Sequence, residues 1–193
     1  MTLGIFGGAF DPPHRGHVEL ARRAKQKLGV DKLLVLVSAA PGHKAVETPA
    51  PVRLALARAA FPNDEVVLDE HARTVDLLRA HPEWDDPVFL IGADEFCDFL
   101  SWKEPDEVLR RARLAVATRP GFPDERLHAV LGRLEHPERV LFFEIEPTPV
   151  ASTHLRERLE YDEDAWRDLP AAVADLIRAE RLYGSSRGTL QGA

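Results

Sequence analysis

With 193 residues, of which 45% are hydrophobic and 30% charged, the chain is long enough to bury one sizeable core and has the balance of an ordinary soluble domain. Its 25 Lys and Arg against 32 Asp and Glu give a net charge of −7, which speaks against coating nucleic acid or being held on an acidic membrane by charge, while a small anionic ligand stays open if its cations are local. Cys97 is the only cysteine, so no internal disulfide and no cysteine-rich zinc site can form; no stretch nears the roughly 18 apolar residues of a membrane span and the N-terminus lacks a leader pattern, so a cytoplasmic protein is expected.

The apolar run Leu3-Gly4-Ile5-Phe6 reads as a first strand, the Gly/Pro cluster after it as a tight loop, and Arg15 to Leu28 as a helix with Val18, Ala21, Ala24 and Leu28 at helical spacing. Lys32 to Val37 is a continuous apolar run of the kind buried on both faces of a parallel sheet. Ser38 to Pro51 reads as loop, Arg53 to Phe61 as a helix, Glu65 to Leu68 as a third strand, Thr74 to Ala80 as a helix and Pro87 to Ile91 as a fourth strand. Helical stretches at Glu95 to Leu100 and Pro105 to Arg111 lead to a fifth strand at Leu114 to Ala117. A helix around Glu125 to Leu134 and a sixth strand at Val140 to Ile145 follow. Two helices close the chain, one with Ser152 or Thr153 as N-cap and one with Pro170 in its first turn. Strand and helix alternate without repeat or linker, which predicts an α/β fold: a single doubly wound, Rossmann-like, mostly parallel sheet with helices on both faces, one domain over residues 1–193.

In such a sheet ligands bind beyond the carboxyl ends of the strands at the switch point between strands one and four. The loop after strand one holds Gly7, Gly8, Gly16 and the pair His14 and His17, three apart on one helix face. Unpaired N–H groups at that helix start favour an anion, and the glycines let a phosphate approach the main chain, so the two imidazoles read as donors to a polyphosphate. Asp11, His14 and His17 also have the composition of a two-His, one-carboxylate metal triad, a geometry that Pro12 and Pro13 disfavour. Gly92 and Asp94 after strand four should meet the first loop over one crevice, with Asp94 placed for a ribose hydroxyl. Lys44 is a phosphate clamp or a solvated lysine, and Arg53, a cation at a helix start, hints weakly at an anion nearby. Ser152 and Arg156, four apart, would either converge on one anion or be a Ser N-cap and an exposed arginine. Trp102 is either core or a stacking plate.

Gly8 to His17 is similar to the G-x-F-D-P-x-H-x-G-H signature of the nucleotidyltransferase superfamily, at all seven specified positions of ten. Within it the chain most resembles the bacterial nicotinate-nucleotide adenylyltransferases. The segments that carry this are Pro41 to Lys44, Arg73 to Leu77, Phe89 to Asp94 with Leu100 and Trp102, Arg119 to Gly121, Val150 to Arg156 and Leu182 to Gly184. That resemblance implies adenylyl transfer from ATP to nicotinate mononucleotide, with magnesium carried on ATP and no nucleic-acid or membrane partner. His14 and His17 would contact the ATP phosphates, assisted by Ser152, Thr153 and Arg156, with Gly7, Gly8 and Phe10 in the ATP site and Gly92 and Asp94 on the ribose. Lys44 and Arg53 would face phosphate, the Thr74 segment and Trp102-Lys103 would enclose the pyridine ring with backbone N–H groups on its carboxylate, and Arg119 would help on that side. The chain departs from the pattern at Ala9 for serine, Gly42 for proline, Arg73 for an aromatic residue, Leu77-Leu78 where the pattern runs Thr-Leu, and Ala151 for serine. Transfer to nicotinamide mononucleotide or phosphopantetheine, and a non-catalytic nucleotide-binding domain, remain the alternatives.

Overall fold

The apolar runs pair side by side because each carries residues for two faces. In the computed structural model, which describes residues 1–41, 46, 48–146 and 150–184, they form β1 (Leu3–Gly8), β2 (Lys32–Ser38), β3 (Glu65–Asp69), β4 (Val88–Gly92), β5 (Arg113–Thr118) and β6 (Val140–Glu144). The order across the sheet is β3-β2-β1-β4-β5-β6 and every pairing is parallel. This is the doubly wound order, with the reversal between β1 and β4.

Alternation along the strands divides the core into two layers. Phe6, Val35, Val37, Val88, Leu90 and Ala115 face one side. They are covered by α1 (Arg15–Leu28), α2 (Ala50–Ala60), α7 (Ser152–Leu159) and α8 (Ala171–Ala179) through residues such as Leu20, Leu56, Leu155 and Ile177. Ile5, Leu34, Leu36, Phe89, Ile91, Leu114 and Val116 face the other. There α3 (Thr74–Ala80), α4 (Ala93–Cys97), α5 (Pro105–Arg111) and α6 (Asp124–Leu131) supply Val75, Phe96, Leu109 and Leu127.

Some boundaries move. Helix α2 begins at Ala50, inside the segment read as loop, because Pro49 serves as its N-cap and Pro51 fits a first turn whose N–H groups have no partner to lose. Ala151, not Ser152 or Thr153, is the N-cap of α7, and Pro170 stands just before α8 rather than in its first turn. Helix α6 stops at Leu131, and a 3-10 segment at Glu163–Asp168, opened by the Asp162 side chain accepting from the Asp164 N–H at 2.9 Å, has no forerunner in the periodicity.

The site is positioned by where pairing stops. β1 pairs with β4 only as far as Phe6 opposite Leu90, while on its other side it continues to Gly8 opposite Val37, so the two central strands part at their carboxyl ends and open a crevice. Gly8 lines that opening under tight constraint, since a Cβ there would stand 2.9 Å from the ring of the buried Phe10. Gly8→Ala is therefore expected to cost about 1–3 kcal/mol through overpacking and to lower the melting temperature by several degrees. A thermal melt within a degree of the parent would contradict that packing.

Candidate functional site

The turn that follows β1 is held by buried polar side chains from distant parts of the chain. Arg53 of α2, 1% exposed, donates to the carbonyls of Ala9 (2.7 Å), Ser38 (2.8 Å), Ala39 (3.2 Å) and Thr48 (2.9 Å). Arg156 of α7 donates to the Asp11 carbonyl at 2.7 Å and lies 3.9 Å from the Asp11 carboxylate, and the Ser152 hydroxyl donates to the Pro12 carbonyl at 3.0 Å. The Asp11 carboxylate accepts from the Tyr183 hydroxyl at 2.6 Å, and that hydroxyl accepts from Thr48 at 3.0 Å. Burial, and then Asp11, hold the Tyr183 phenol well above its usual pKa, so it stays a donor. The Asp11-Pro12 bond is cis.

Two expectations change here. Arg53 does not face a phosphate: its guanidinium is buried and committed to four carbonyls, because the reach of an arginine from the first turn of α2 brings it beneath the β1 turn and not out of it. Phe10 does not line a nucleotide surface with its ring, which packs edge-on to Phe6 (5.4 Å), Phe61 (5.8 Å) and His17 (5.1 Å) in the core. A positive φ of 51° turns the chain there and sends the ring inward.

The two histidines follow at the start of α1. His14 is its N-cap, and the His14 N–H donates to Nδ1 of His17 at 3.2 Å. An accepting Nδ1 places the proton of the neutral His17 ring on Nε2, which makes that nitrogen a hydrogen-bond donor. The rings lie 3.8 Å apart between centroids, inclined by 31°. The His14 ring is buried, its Nδ1 has no hydrogen-bond partner in bonding geometry among the described residues, and burial lowers its pKa to about 4. The metal triad is not assembled: among the described residues no group of three His, Cys, Asp or Glu side chains could hold an ion, and the Asp11 carboxylate is engaged by Tyr183 and faces Arg156.

Beside the turn lies a cleft of about 450 Å³, floored by Gly7, Gly8, Leu36 and Phe89 and walled by Arg73, Thr74, Trp102 and Lys103. Half-buried Trp102 serves both readings left open for it, since its ring packs against Phe89 (6.2 Å) and Phe99 (5.2 Å) and also lines the cleft. Lys103 is paired with Asp76 of α3 at 2.8 and 3.1 Å, which pulls the Asp76 carboxyl below its usual pKa. A second hollow of about 560 Å³, along β2 and β3, shares Leu36, Asp69, His71 and Leu77 with this cleft but touches no residue of the β1 turn.

Of the other anticipated residues, Gly92 is the N-cap of α4, and Thr153 is exposed in the first turn of α7. Asp94 is exposed and lies 3.6 Å from Arg119 and 3.9 Å from Arg126. Arg119 therefore stands with Asp94 and does not line the Trp102 cleft, because β5 delivers it to the opposite side of β4 from α3. Lys44 falls outside the described residues. Sequence reasoning passed over Tyr183 as an anchor of the turn, since no local pattern ties a hydroxyl to a carboxylate 172 residues away. It also passed over Asp69 and His71, which are hydrogen-bonded at 2.8 Å on the cleft wall.

A family model described as cytidylyltransferase-like matches residues 5–158. The chain is 32% identical to a probable nicotinate-nucleotide adenylyltransferase of Rubrobacter xylanophilus, an alignment that covers all of this chain and 96% of the relative. It is 33% identical to a protein of the same description from Thermus thermophilus, over 95% of this chain and all of the relative. Among solved structures, a Plasmodium falciparum nicotinic acid mononucleotide adenylyltransferase complexed with NaAD shares the fold, with a TM-score of 0.74 at 20% identity, covering 94% of this chain and 97% of that one.

Two outcomes follow from the geometry. Tyr183→Phe removes the donor to a buried carboxylate and should lower stability by about 1–3 kcal/mol in chemical denaturation; an unshifted midpoint would show the hydroxyl to be dispensable. His14 is neutral in the folded protein down to about pH 4, whereas the ordinary imidazole of the unfolded chain takes up its proton near 6.5. The unfolded state thus binds more protons in that window, so stability from this group is present above pH 6.5 and declines on acidification towards pH 4, by on the order of 3 kcal/mol. Melting curves between pH 7 and 4.5 should fall more steeply for the parent than for His14→Gln, and parallel curves would refute the burial effect.

Proposed function

The chain belongs to the cytidylyltransferase-like family, and from that premise we propose that it is an adenylyltransferase joining the AMP moiety of ATP to nicotinate mononucleotide. The products are nicotinate adenine dinucleotide and pyrophosphate, a step of NAD synthesis. The observation that carries this reading is the pair of closely packed imidazoles at the N-terminus of α1, lashed in place beside an open cleft at the switch point of the sheet.

The reaction is an in-line attack by a phosphate oxygen of the mononucleotide on the α-phosphorus of ATP. The new P–O bond forms as the bond to the pyrophosphate bridge breaks. A phosphate monoester with a second pKa of about 6 is already ionised at neutral pH, so no strong base is required. What the protein must supply is orientation and donors to the charge that builds on the phosphates. The free N–H groups at the start of α1 and the Nε2–H of His17 suit the triphosphate. Burial penalises the positive charge of a protonated His14 and holds its ring neutral, a penalty that the negative charge of a bound triphosphate would offset. Ser152 and Arg156 of α7 hold the Pro12 and Asp11 carbonyls and so fix the turn that receives the triphosphate, and exposed Thr153 in the first turn of α7 is left to extend the donor set.

Gly92 and Asp94 take the adenosine ribose, with Arg119 and Arg126 orienting the Asp94 carboxylate. Thr74, Trp102 and Lys103 enclose the pyridine ring, while a phosphate role for Lys44, outside the described residues, rests on the resemblance alone. Magnesium arrives with its nucleotide as the substrate MgATP, held by triphosphate oxygens and water, as suits an ion that dehydrates reluctantly. One domain carries both subsites, and the enzyme works in the cytoplasm.

Pyrophosphate release from ATP in the presence of nicotinate mononucleotide is the direct assay. His17→Ala should lower kcat by about 10²–10³ while changing KM for the mononucleotide far less, as for loss of one preorganised donor to a transition state. A folded variant with unchanged turnover would remove His17 from the reaction.

A further inference from the structure

Adenylyl transfer fixes which end of the mononucleotide lies where, and the inference that follows rests on that reading. Its phosphate must reach an α-phosphorus held at the β1 turn. The pyridine ring is therefore directed to the far end of the cleft, where Arg73, Thr74, Trp102 and Lys103 form the wall. Nicotinate and nicotinamide mononucleotides differ at that end by one negative charge.

The surroundings do not welcome a carboxylate by default. Asp69, Glu95 and Asp98 line the same cleft, and two of the cleft's side chains, Arg73 and Lys103, are permanent cations. The ammonium of Lys103 is answered by Asp76 in two contacts. Arg73 is different. Its guanidinium donates to the carbonyl of the adjacent Ala72 at 3.0 Å, and it has no ion-pair partner among the described residues. It is an exposed side chain immediately before Thr74, on the cleft wall. The sequence pattern that this chain resembles carries an aromatic residue at this position, so the charge belongs to this chain and not to the pattern.

We propose that Arg73 is the specificity-determining residue of the acceptor site, pairing with the pyridine carboxylate and so selecting the acid mononucleotide over the amide. A guanidinium presents parallel N–H donors that match a carboxylate in two bonds, and a ligand that fills the cleft shields the pair from water. For the amide the same guanidinium gains no ionic partner, while the acidic walls of the cleft disfavour no neutral group. Discrimination therefore arises from charge, with Arg73 adding an ionic partner to the backbone N–H groups implied for the carboxylate, and not from the shape of the ring slot, which the two ligands fill alike.

The experiment compares kcat/KM for the acid and amide mononucleotides in the parent, Arg73→Gln and Arg73→Lys. Calorimetric binding of both ligands at low and high salt accompanies the kinetics. Arg73→Gln should lower the acid-to-amide ratio about tenfold, through KM for the acid and not through kcat, and should flatten the salt dependence of acid binding. Arg73→Lys should retain most of the preference. An unchanged ratio in folded Arg73→Gln overturns the proposal, and so does an equal loss for both ligands, which would put Arg73 on the phosphate they share. A parent that binds the acid preferentially, loses that preference in Arg73→Gln and releases no pyrophosphate would leave the inference standing and sink the transfer reaction. A parent that binds neither ligand would sink both.

Discussion

A tight turn built on two prolines leaves carbonyls pointing into the protein with no strand or helix to receive them, and a buried carbonyl must find a donor. Side chains solve the problem here. Arg53 takes the carbonyl of Ala9, Arg156 that of Asp11 and Ser152 that of Pro12, while Tyr183 takes the Asp11 carboxylate. The donors come from three separate stages of the chain, so the turn is fixed only when α2, α7 and the segment after α8 have all docked. Hydrogen bonds to charged groups contribute about 1.5–3 kcal/mol each, and removing one leaves a buried polar group stranded. The histidines inherit their positions from this lashing, since His14 follows directly on Pro13 and His17 one turn later.

The same turn reconciles an acidic protein with anionic substrates. A net charge of −7 offers no general attraction for phosphates, so the cations and N–H groups that receive them have to be local. At the β1 turn the structure offers the start of α1 and two imidazoles, with burial holding His14 neutral. In the cleft they are Lys103 and Arg73, one already balanced by Asp76 and the other without a carboxylate partner among the described residues. The two ends of the site thus differ in character. One offers the start of α1 and two imidazoles, and the other offers charged side chains.

The parting of β1 and β4 beyond Phe6 and Leu90 joins these ends into one crevice. Gly7 and Gly8 lie on its floor, where any side chain would intrude on Phe89 or Phe10. Trp102 shows how the core and the site share material, with its ring packed on Phe89 and Phe99 while it also lines the cleft. Stability and ligand contact cannot be varied independently at such a position.

The sequence by itself determined the order of strands and helices, the doubly wound class, the switch-point loop and the two histidines, because period two and period 3.6 record directly which side of each element is apolar. Leu34, Val35, Leu36 and Val37 read as a strand buried on both faces, and Val18, Ala21 and Ala24 as one side of a helix, and the structure has both. Tertiary structure alone decided what the long polar side chains do. Arg53 was drawn inward to four carbonyls, Arg119 went to Asp94, and Tyr183 reached back to Asp11, while Arg73 was left facing the cleft. A periodic pattern fixes the face from which such a side chain departs. The partner it meets several ångströms further on belongs to another element, and only the packing of the two together brings them within reach.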